Sequence, residues 1–257
     1  MITIKKPDEF EKMAIAGATV ALVLRTVKEA AEPGVSMKQL DAVAADVIRS
    51  RGCTPSFLGY HGFPAHICTS PNSVIVHGIP DKYRLKEGDI LSVDAGAIYE
   101  GFHGDAAITF GIGEIGPGAQ QLLDTTEASL WAGIQQVTDG ARLGDIGNAV
   151  QAGADRRGYG VVREYVGHGI GRQMHEEPQV PNFGKKGTGM KLRTGMAVCI
   201  EPMFNLGGAE TRVEADGWTV VTADGSLSAH FEHTIGITKN GPVVFTKDDL
   251  SSGSKAD

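Results

Sequence analysis

The chain has 257 residues, of which 41% are hydrophobic and 21% charged, a composition typical of globular proteins that argues against wholesale disorder. Its net charge of −7 argues against binding to nucleic-acid backbones, which requires clustered Lys and Arg. Three widely spaced cysteines argue against a disulfide framework, and no stretch approaches the roughly 20 apolar residues of a membrane span. We therefore expect a reduced, cytoplasmic protein without direct nucleic-acid or membrane contact.

Four stretches have the apolar spacing of amphipathic helices. The first covers residues 8–32, with Asp8 as its predicted N-cap, and the second covers residues 36–52. The third is expected at about 118–138 and the fourth at 145–157. The chain therefore contains two pairs of helices, one early and one late.

Strands are predicted between and after these pairs. Residues 55–80 are rich in Gly, Pro and aromatic residues around the apolar run SVIVHGIP, which favours short strands and functional loops. The segment DILSVDAGAIYEGFHGDAAITFG predicts two strands that turn at Glu100-Gly101. Later strands are expected in AVCIEPMF, WTVVTAD and AHFEHTIGIT.

The predicted hairpin brings two carboxylates together. If Glu100-Gly101 form a two-residue turn, Asp94 lies opposite Ala107. Asp105 is two residues from Ala107 and points to the same face as Asp94. Asp94 and Asp105 are therefore predicted to be diagonal neighbours.

The chain also contains an internal repeat. The segment GVSMKQLDAVAADVIRSRG at Gly34 aligns with GARLGDIGNAVQAGADRRG at Gly140, and KEGDILSVD aligns with RTGMAVCIE so that Asp94 matches Glu201. We infer a single domain over residues 1–250, made of two related halves at about 8–115 and 116–245. A polar C-terminal tail, residues 251–257, follows it.

The repeat exposes a cluster of ionisable residues. Asp94 and Glu201 each end an apolar run, LSVD and VCIE, where an unpaired charge is costly to bury. The candidate cluster consists of Asp94, Asp105, His168, Glu201 and Glu232. Four confined carboxylates cannot all ionise without a cation, and bridging carboxylates with one imidazole suit a pair of divalent ions, which points to hydrolysis. Taken singly, each residue could be a turn or core residue, and Glu176 and Glu177 a solvated or helix-capping pair.

With these residues in place, the chain resembles the type I methionine aminopeptidases of bacteria, the kind without an N-terminal zinc-finger extension. The resemblance extends from about Lys6 to Val244 and rests on HGIPD at His77, DAGAIYEGFHGDAAITF at Asp94, YVGHGIGRQMHEEPQVPNFG at Tyr165, CIEPMF at Cys199 and SLSAHFEHTIGIT at Ser226. It implies the α+β pita-bread (creatinase/aminopeptidase) fold, a pseudo-two-fold symmetric antiparallel sheet covered by helices. It also implies removal of the initiator methionine from nascent proteins when the second residue is small.

The resemblance implies two divalent ions per chain, drawn from Co, Mn, Fe and Zn. Asp94 would bind one ion and Asp105 would bridge both. His168 and Glu201 would bind the other ion, with Glu232 as the second bridge. Glu201 would also be the general base.

The resemblance assigns catalytic and substrate-binding roles as well. His175 would hydrogen-bond the scissile carbonyl or its oxyanion, and His77 would contact the peptide nitrogen from the opposite side. The methionine pocket would be lined by Tyr60, Phe63, Cys68, His77, Met174, His175 and Trp218.

Three positions depart from the family pattern. Many relatives have Tyr at the position of Phe63 and Phe at that of Met174, so we expect a more adaptable pocket. His230 stands where Gln is frequent. Asn72 and Ser228 fall where some members bind a monovalent cation through backbone oxygens.

The expected partners are polypeptide N-termini beginning with Met. We expect a monomer, and the resemblance allows a transient association with the ribosome. Two alternatives remain open: an Xaa-Pro peptidase of the same fold, which usually has an extra N-terminal domain for which residues 1–6 leave no room, and an inactive peptide-binding member, which usually lacks metal ligands.

Overall fold

A computed structural model describes residues 2–248 of the chain. Four α-helices lie in this range: α1 (Pro7–Ala30), α2 (Met37–Ser50), α3 (Pro117–Ile134) and α4 (Leu143–Asp155). A short 3-10 helix covers Tyr60–Gly62. All four predicted helices are present, whereas the predicted tail, residues 251–257, lies outside the described residues.

The helix starts follow local chemistry, with one correction. The predicted Asp8 cap of α1 is wrong, because the N-cap is Lys6 and Pro7 occupies the first turn, where it needs no N–H partner. The Glu9 carboxylate accepts a hydrogen bond from the Lys6 N–H at 2.9 Å. Ser36 caps α2 as predicted and exchanges hydrogen bonds with Gln39.

Short strands make up the rest of the regular structure. They are β1 (Thr54–Pro55), β2 (Ile67–Pro71), β3 (Val74–Val76), β4 (Ile90–Tyr99), β5 (Phe102–Gly111), β6 (Gly160–Val161), β7 (Gly167–Gly169), β8 (Glu176–Val180), β9 (Ala197–Ile200), β10 (Met203–Asn205), β11 (Thr211–Val213), β12 (Val220–Thr222), β13 (Ser228–His230), β14 (His233–Thr238) and β15 (Gly241–Val244). They form sheets in the orders β1-β4-β2 with β5 against β4, β13-β10-β6, β11-β12-β3 and β15-β14-β9-β7-β8. All the pairings are antiparallel.

The hairpin of β4 and β5 has the predicted register. Asp94 pairs with Ala107, and Tyr99 pairs with Phe102 at the turn. Glu100 and Gly101 both have positive φ, 46° and 80°, which suits a two-residue hairpin loop. Local turn chemistry therefore decides which face receives Asp94.

Two predicted strands are interrupted. AVCIEPMF divides into β9 and β10 around Glu201-Pro202, and AHFEHTIGIT divides into β13 and β14 around Phe231-Glu232. Proline has no N–H for a ladder hydrogen bond, which accounts for the first break. Each break therefore leaves a glutamate, Glu201 or Glu232, between two named strands.

The two repeated stretches make equivalent contacts. The Gly34 N–H donates to the Leu85 carbonyl at 2.7 Å, and the Gly140 N–H donates to the Leu192 carbonyl at 3.0 Å. One apolar cluster joins α1 and α2 to β4, and another joins α3 and α4 to β9. The division into two related halves stays a prediction. Among the described helices, none combines the length and apolar character that crossing a membrane requires.

Candidate metal centre and active site

The early and late strands meet along β5, where two threonines take part in the pairing. Ala107 and Glu232 exchange backbone hydrogen bonds of 3.3 and 2.8 Å. On one side, the Thr234 hydroxyl accepts from the Asp105 N–H at 3.0 Å and donates to the Asp105 carbonyl at 2.7 Å. On the other, the Thr109 hydroxyl accepts from the His230 N–H at 2.9 Å and donates to the His230 carbonyl at 2.7 Å. This threonine seam, Thr109 and Thr234 on either side of Ala107–Glu232, fixes the backbone of two candidate ligands.

Two glutamates and two histidines face one another beside the seam. His168 Nε2 lies 3.6 Å from Glu201 Oε1 and 4.0 Å from Glu232 Oε1, and 3.8 Å from Asp105 Oδ2. His230 Nε2 lies 3.8 Å from Glu201 Oε2 and 4.0 Å from Glu232 Oε2. Each glutamate therefore turns one oxygen to each imidazole. All five side chains are at most 13% exposed.

Asp94 adjoins this group across the hairpin. Burial raises the pKa of Asp94 to about 7, and burial followed by neighbouring carboxylates raises the pKa values of Asp105, Glu201 and Glu232 well above their ordinary range. Burial also lowers the pKa values of His168 and His230 to about 3, so both imidazoles are neutral at neutral pH. The imidazoles are therefore already in the form that binds metals, whereas a cation would displace protons from the carboxyl groups as it binds.

Unsatisfied buried atoms are concentrated here. Among the described residues, Asp94 Oδ1, Asp105 Oδ1, Glu232 Oε1 and His230 Nε2 are buried and have no hydrogen-bond partner. Such groups are costly to bury unless something compensates them. The donor set, carboxylate oxygens with imidazole nitrogen, fits divalent ions.

The local backbone orients the His168 side chain toward the acidic cluster. Its Nδ1 donates to the Gly169 carbonyl at 2.9 Å, which leaves Nε2 with its lone pair toward the carboxylates. A Cβ on Gly167 would lie 2.3 Å from the Cys199 carbonyl, and one on Gly169 would lie 2.3 Å from the Glu177 carbonyl. Only glycine allows this close approach of β7 to its neighbours.

A cavity of about 140 Å³ opens onto the cluster. Its lining contains every predicted ligand and pocket residue, together with Phe57: Tyr60, Phe63, Cys68, His77, Asp94, Asp105, His168, Met174, His175, Glu201, Trp218 and Glu232. At roughly 30 Å³ per water, the cavity has the volume of four or five waters, which suits one small side chain. Phe57 was missed because it lies in a loop without a distinguishing motif.

Apolar and sulfur-containing side chains form the inner wall of the cavity. Phe63 packs edge-on against Phe57 and Trp218, with ring centroids 6.4 and 5.2 Å apart. Cys68 and Met174 are each 5% exposed, and Cys68 pairs with Asp94 in the sheet. The apolar wall and the acidic cluster are therefore contiguous.

His175 and His77 also line the cavity. The His175 ring lies 4.3 Å from the His168 ring, between centroids, and its Nδ1 is 2.7 Å from the Tyr60 hydroxyl. His77 is half-buried, with φ of 59°, a left-handed conformation that is uncommon for a residue other than glycine. Burial lowers the pKa of His77 to about 4. Burial also lowers the pKa of His175, so both imidazoles are neutral at neutral pH.

Glu176 differs from its expected solvated or capping role. It forms a buried ion pair with Lys5, Nζ to Oε2 2.8 Å, and the two side chains are 7% and 4% exposed. Glu176 also accepts hydrogen bonds from the Thr3 hydroxyl and the Gln173 N–H. The N-terminal segment therefore holds the loop that contains His175. A separation of 171 residues hides this pair from sequence patterns.

At the predicted monovalent cation site, Asn72 and Ser228 are backbone neighbours. The Ser228 N–H donates a hydrogen bond to the Asn72 carbonyl at 2.9 Å. Asn72 has φ of 55°, and its side chain hydrogen-bonds Asp89. The cation itself stays a prediction.

Comparison with known proteins identifies the family. Residues 11–239 match the model of metallopeptidase family M24. The chain belongs to this family. As a member, it is a metal-dependent peptidase. This match confirms the family resemblance that was predicted from the sequence.

This M24 chain has relatives along nearly its whole length. It is 48% identical to a methionine aminopeptidase of Clostridium perfringens over 96% of the chain and 99% of that protein. The crystal structure of a methionine aminopeptidase from Thermotoga maritima superposes with a TM-score of 0.95 at 45% identity, covering 96% of this chain and 100% of that one. A prolidase from Pyrococcus furiosus shares the fold alone, with a TM-score of 0.77 at 20% identity over 96% of this chain and 66% of that one. The predicted pita-bread fold is confirmed.

Proposed function

We propose that this chain removes the N-terminal methionine from polypeptides whose second residue is small, acting in the cytoplasm. The observation that supports this most directly is the contact between the acidic cluster and a cavity sized for one side chain. The relatives named methionine aminopeptidase cover nearly the full chain at 44–50% identity.

In this proposal, Asp94, Asp105, His168, Glu201 and Glu232 hold two divalent ions. When bound, such ions lower the pKa of water and stabilise the negative charge that develops on the carbonyl oxygen. Their identity among Co, Mn, Fe and Zn is open, because affinity and supply both determine it. The unsatisfied oxygens of Asp94, Asp105 and Glu232 support the assignment.

Glu201 is proposed as the general base. It takes a proton from the water that attacks the carbonyl carbon, and the proton then passes to the departing peptide nitrogen as the C–N bond breaks. In the metal-free protein, burial and the neighbouring Asp105 and Asp94 raise the pKa of the Glu201 carboxyl. His77, which also lines the cavity, is proposed to contact that nitrogen.

His175 is proposed to donate a hydrogen bond to the carbonyl oxygen. A neutral imidazole carries one proton, and a Tyr60 hydroxyl that donates to Nδ1 places that proton on Nε2. Tyr60 thus selects the tautomer that can stabilise the developing oxyanion. The aromatic face of Tyr60 also lines the cavity.

The residues that line the cavity account for the substrate side chain that it would accept. Phe63, Cys68, Met174 and Trp218 offer apolar and polarisable surface that suits an unbranched thioether. A bulky second residue would collide with the rim, whereas Gly or Ala would fit.

The test is a peptide panel with metal analysis. Protein loaded with Mn or Co is expected to release Met from Met-Gly and Met-Ala peptides, to lose activity with a chelator and to leave Xaa-Pro peptides nearly intact. Rapid Xaa-Pro cleavage without Met release would reverse the assignment. Loaded protein that cleaves neither class would instead indicate an inactive peptide-binding member.

A further inference from the structure

His230 lies at nearly the same distances from Glu201 and Glu232 as His168 does, but it faces the other oxygen of each carboxylate. His168 Nε2 lies 3.6 and 4.0 Å from the Oε1 atoms of Glu201 and Glu232, and His230 Nε2 lies 3.8 and 4.0 Å from their Oε2 atoms. Glu201, His230 and Glu232 also place one donor atom each within 4.8 Å of one another. The carboxylates thus present a second pair of oxygens to a second imidazole.

The contacts of His230 leave its Nε2 available. The side chain is 2% exposed, and Nε2 is buried without a hydrogen-bond partner. Its backbone cannot shift easily, because the Thr109 hydroxyl holds both the N–H and the carbonyl of His230. A buried, unpaired nitrogen with a fixed backbone needs a partner at this point.

Distance decides which partner fits. The separations of 3.8 and 4.0 Å are too long for direct hydrogen bonds to the carboxylates. Metal–nitrogen and metal–oxygen bonds are each roughly 2.0–2.2 Å long. Two such bonds together span slightly more than the distance from Nε2 to either carboxylate oxygen, so one ion between them can bind both atoms.

We propose that His230 is a second imidazole ligand of the metal centre, binding an ion through Nε2 together with Glu201 and Glu232. This rests on the proposed dinuclear centre and adds one nitrogen donor to its five ligands. Imidazole favours Zn, Co and Fe, whereas Mn prefers oxygen ligands. His230 therefore biases the centre toward Co, Fe or Zn.

The test uses cobalt-loaded protein and X-ray absorption, which counts imidazole ligands. With His168 and His230 shared between two ions, the wild type is expected to show about one imidazole per cobalt, and His230→Gln about one half. Titration calorimetry should show cobalt affinity about tenfold or more lower in His230→Gln, with a smaller change for Mn. The control His66→Gln removes an imidazole that pairs with Asp41 and should change neither measurement.

Several results would overturn the proposal. An unchanged imidazole count in His230→Gln, or equal losses of Co and Mn affinity, would assign His230 a packing role only. If His230→Gln fails to fold, the wild type alone decides, because one half imidazole per cobalt contradicts the proposal and one supports it. The wild type could bind two ions and release Met and still fail these tests. That result would contradict the proposal on His230 and leave the proposed function intact.

Discussion

The ion pair between Lys5 and Glu176 allows a quantitative prediction. Removing one partner of a buried pair costs about 3–5 kcal/mol, because the other charge stays buried. Because Glu176 retains hydrogen bonds from Thr3 and Gln173, the loss of stability in Lys5→Met should be at the lower end of this range, near 3 kcal/mol. At about 2 °C per kcal/mol for a chain of this size, Tm should fall by roughly 6 °C.

Thermal unfolding monitored by circular dichroism measures this shift, and the chain offers two controls. Lys12 pairs with Glu100 at 2.9 Å, but the side chains are 32% and 57% exposed, so Lys12→Met should leave Tm almost unchanged. Adding Glu176→Leu to Lys5→Met removes the orphaned charge and should recover most of the loss. A Tm for Lys5→Met within about 2 °C of the wild type, or a double variant no better than the single, would refute the reasoning.

Three further predictions concern the centre. His175→Ala should lower kcat by about 10²-fold at unchanged metal content, and loss of metal would make His175 a ligand. Tyr60→Phe should lower kcat about 2- to 10-fold, the value of one hydrogen bond of ~0.5–1.5 kcal/mol, whereas a change in KM alone would exclude a role through His175. Because the folded pKa of Asp94 is raised to about 7, its stabilising contribution is complete below its unfolded pKa near 3.9 and disappears as pH rises through 7. Metal-free protein should therefore gain more in Tm from added Mn at pH 7.5 than at pH 5, and an equal gain would contradict this.

The sequence predicted those parts of the site that depend on local geometry. The turn at Glu100-Gly101 set the register of β4 and β5, and strand alternation then put Asp94 and Asp105 on one face. The helix start at Ser36 followed from its capping chemistry. These features depend on residues a few positions apart, which periodicity and turn preferences report directly.

Long-range contacts were not predictable in this way. The strand breaks at Glu201 and Glu232 interrupt runs whose apolar pattern continues across them. Lys5 and Glu176 are far apart in sequence, and neither lies in a pattern that indicates burial. The likeness to a known family supplied the roles of His77 and His175, which spacing alone left open.

The threonine seam has a consequence for how the activity fails. The backbone of Glu232 hydrogen-bonds the backbone of Ala107. The Thr109 hydroxyl holds the backbone of His230, and the Thr234 hydroxyl holds the backbone of Asp105. A small separation of the early and late strands would pull apart the cation-holding side chains before either apolar core opened. Mild heat or denaturant should thus silence the enzyme and release its ions while the helices persist, so that inactivation precedes unfolding.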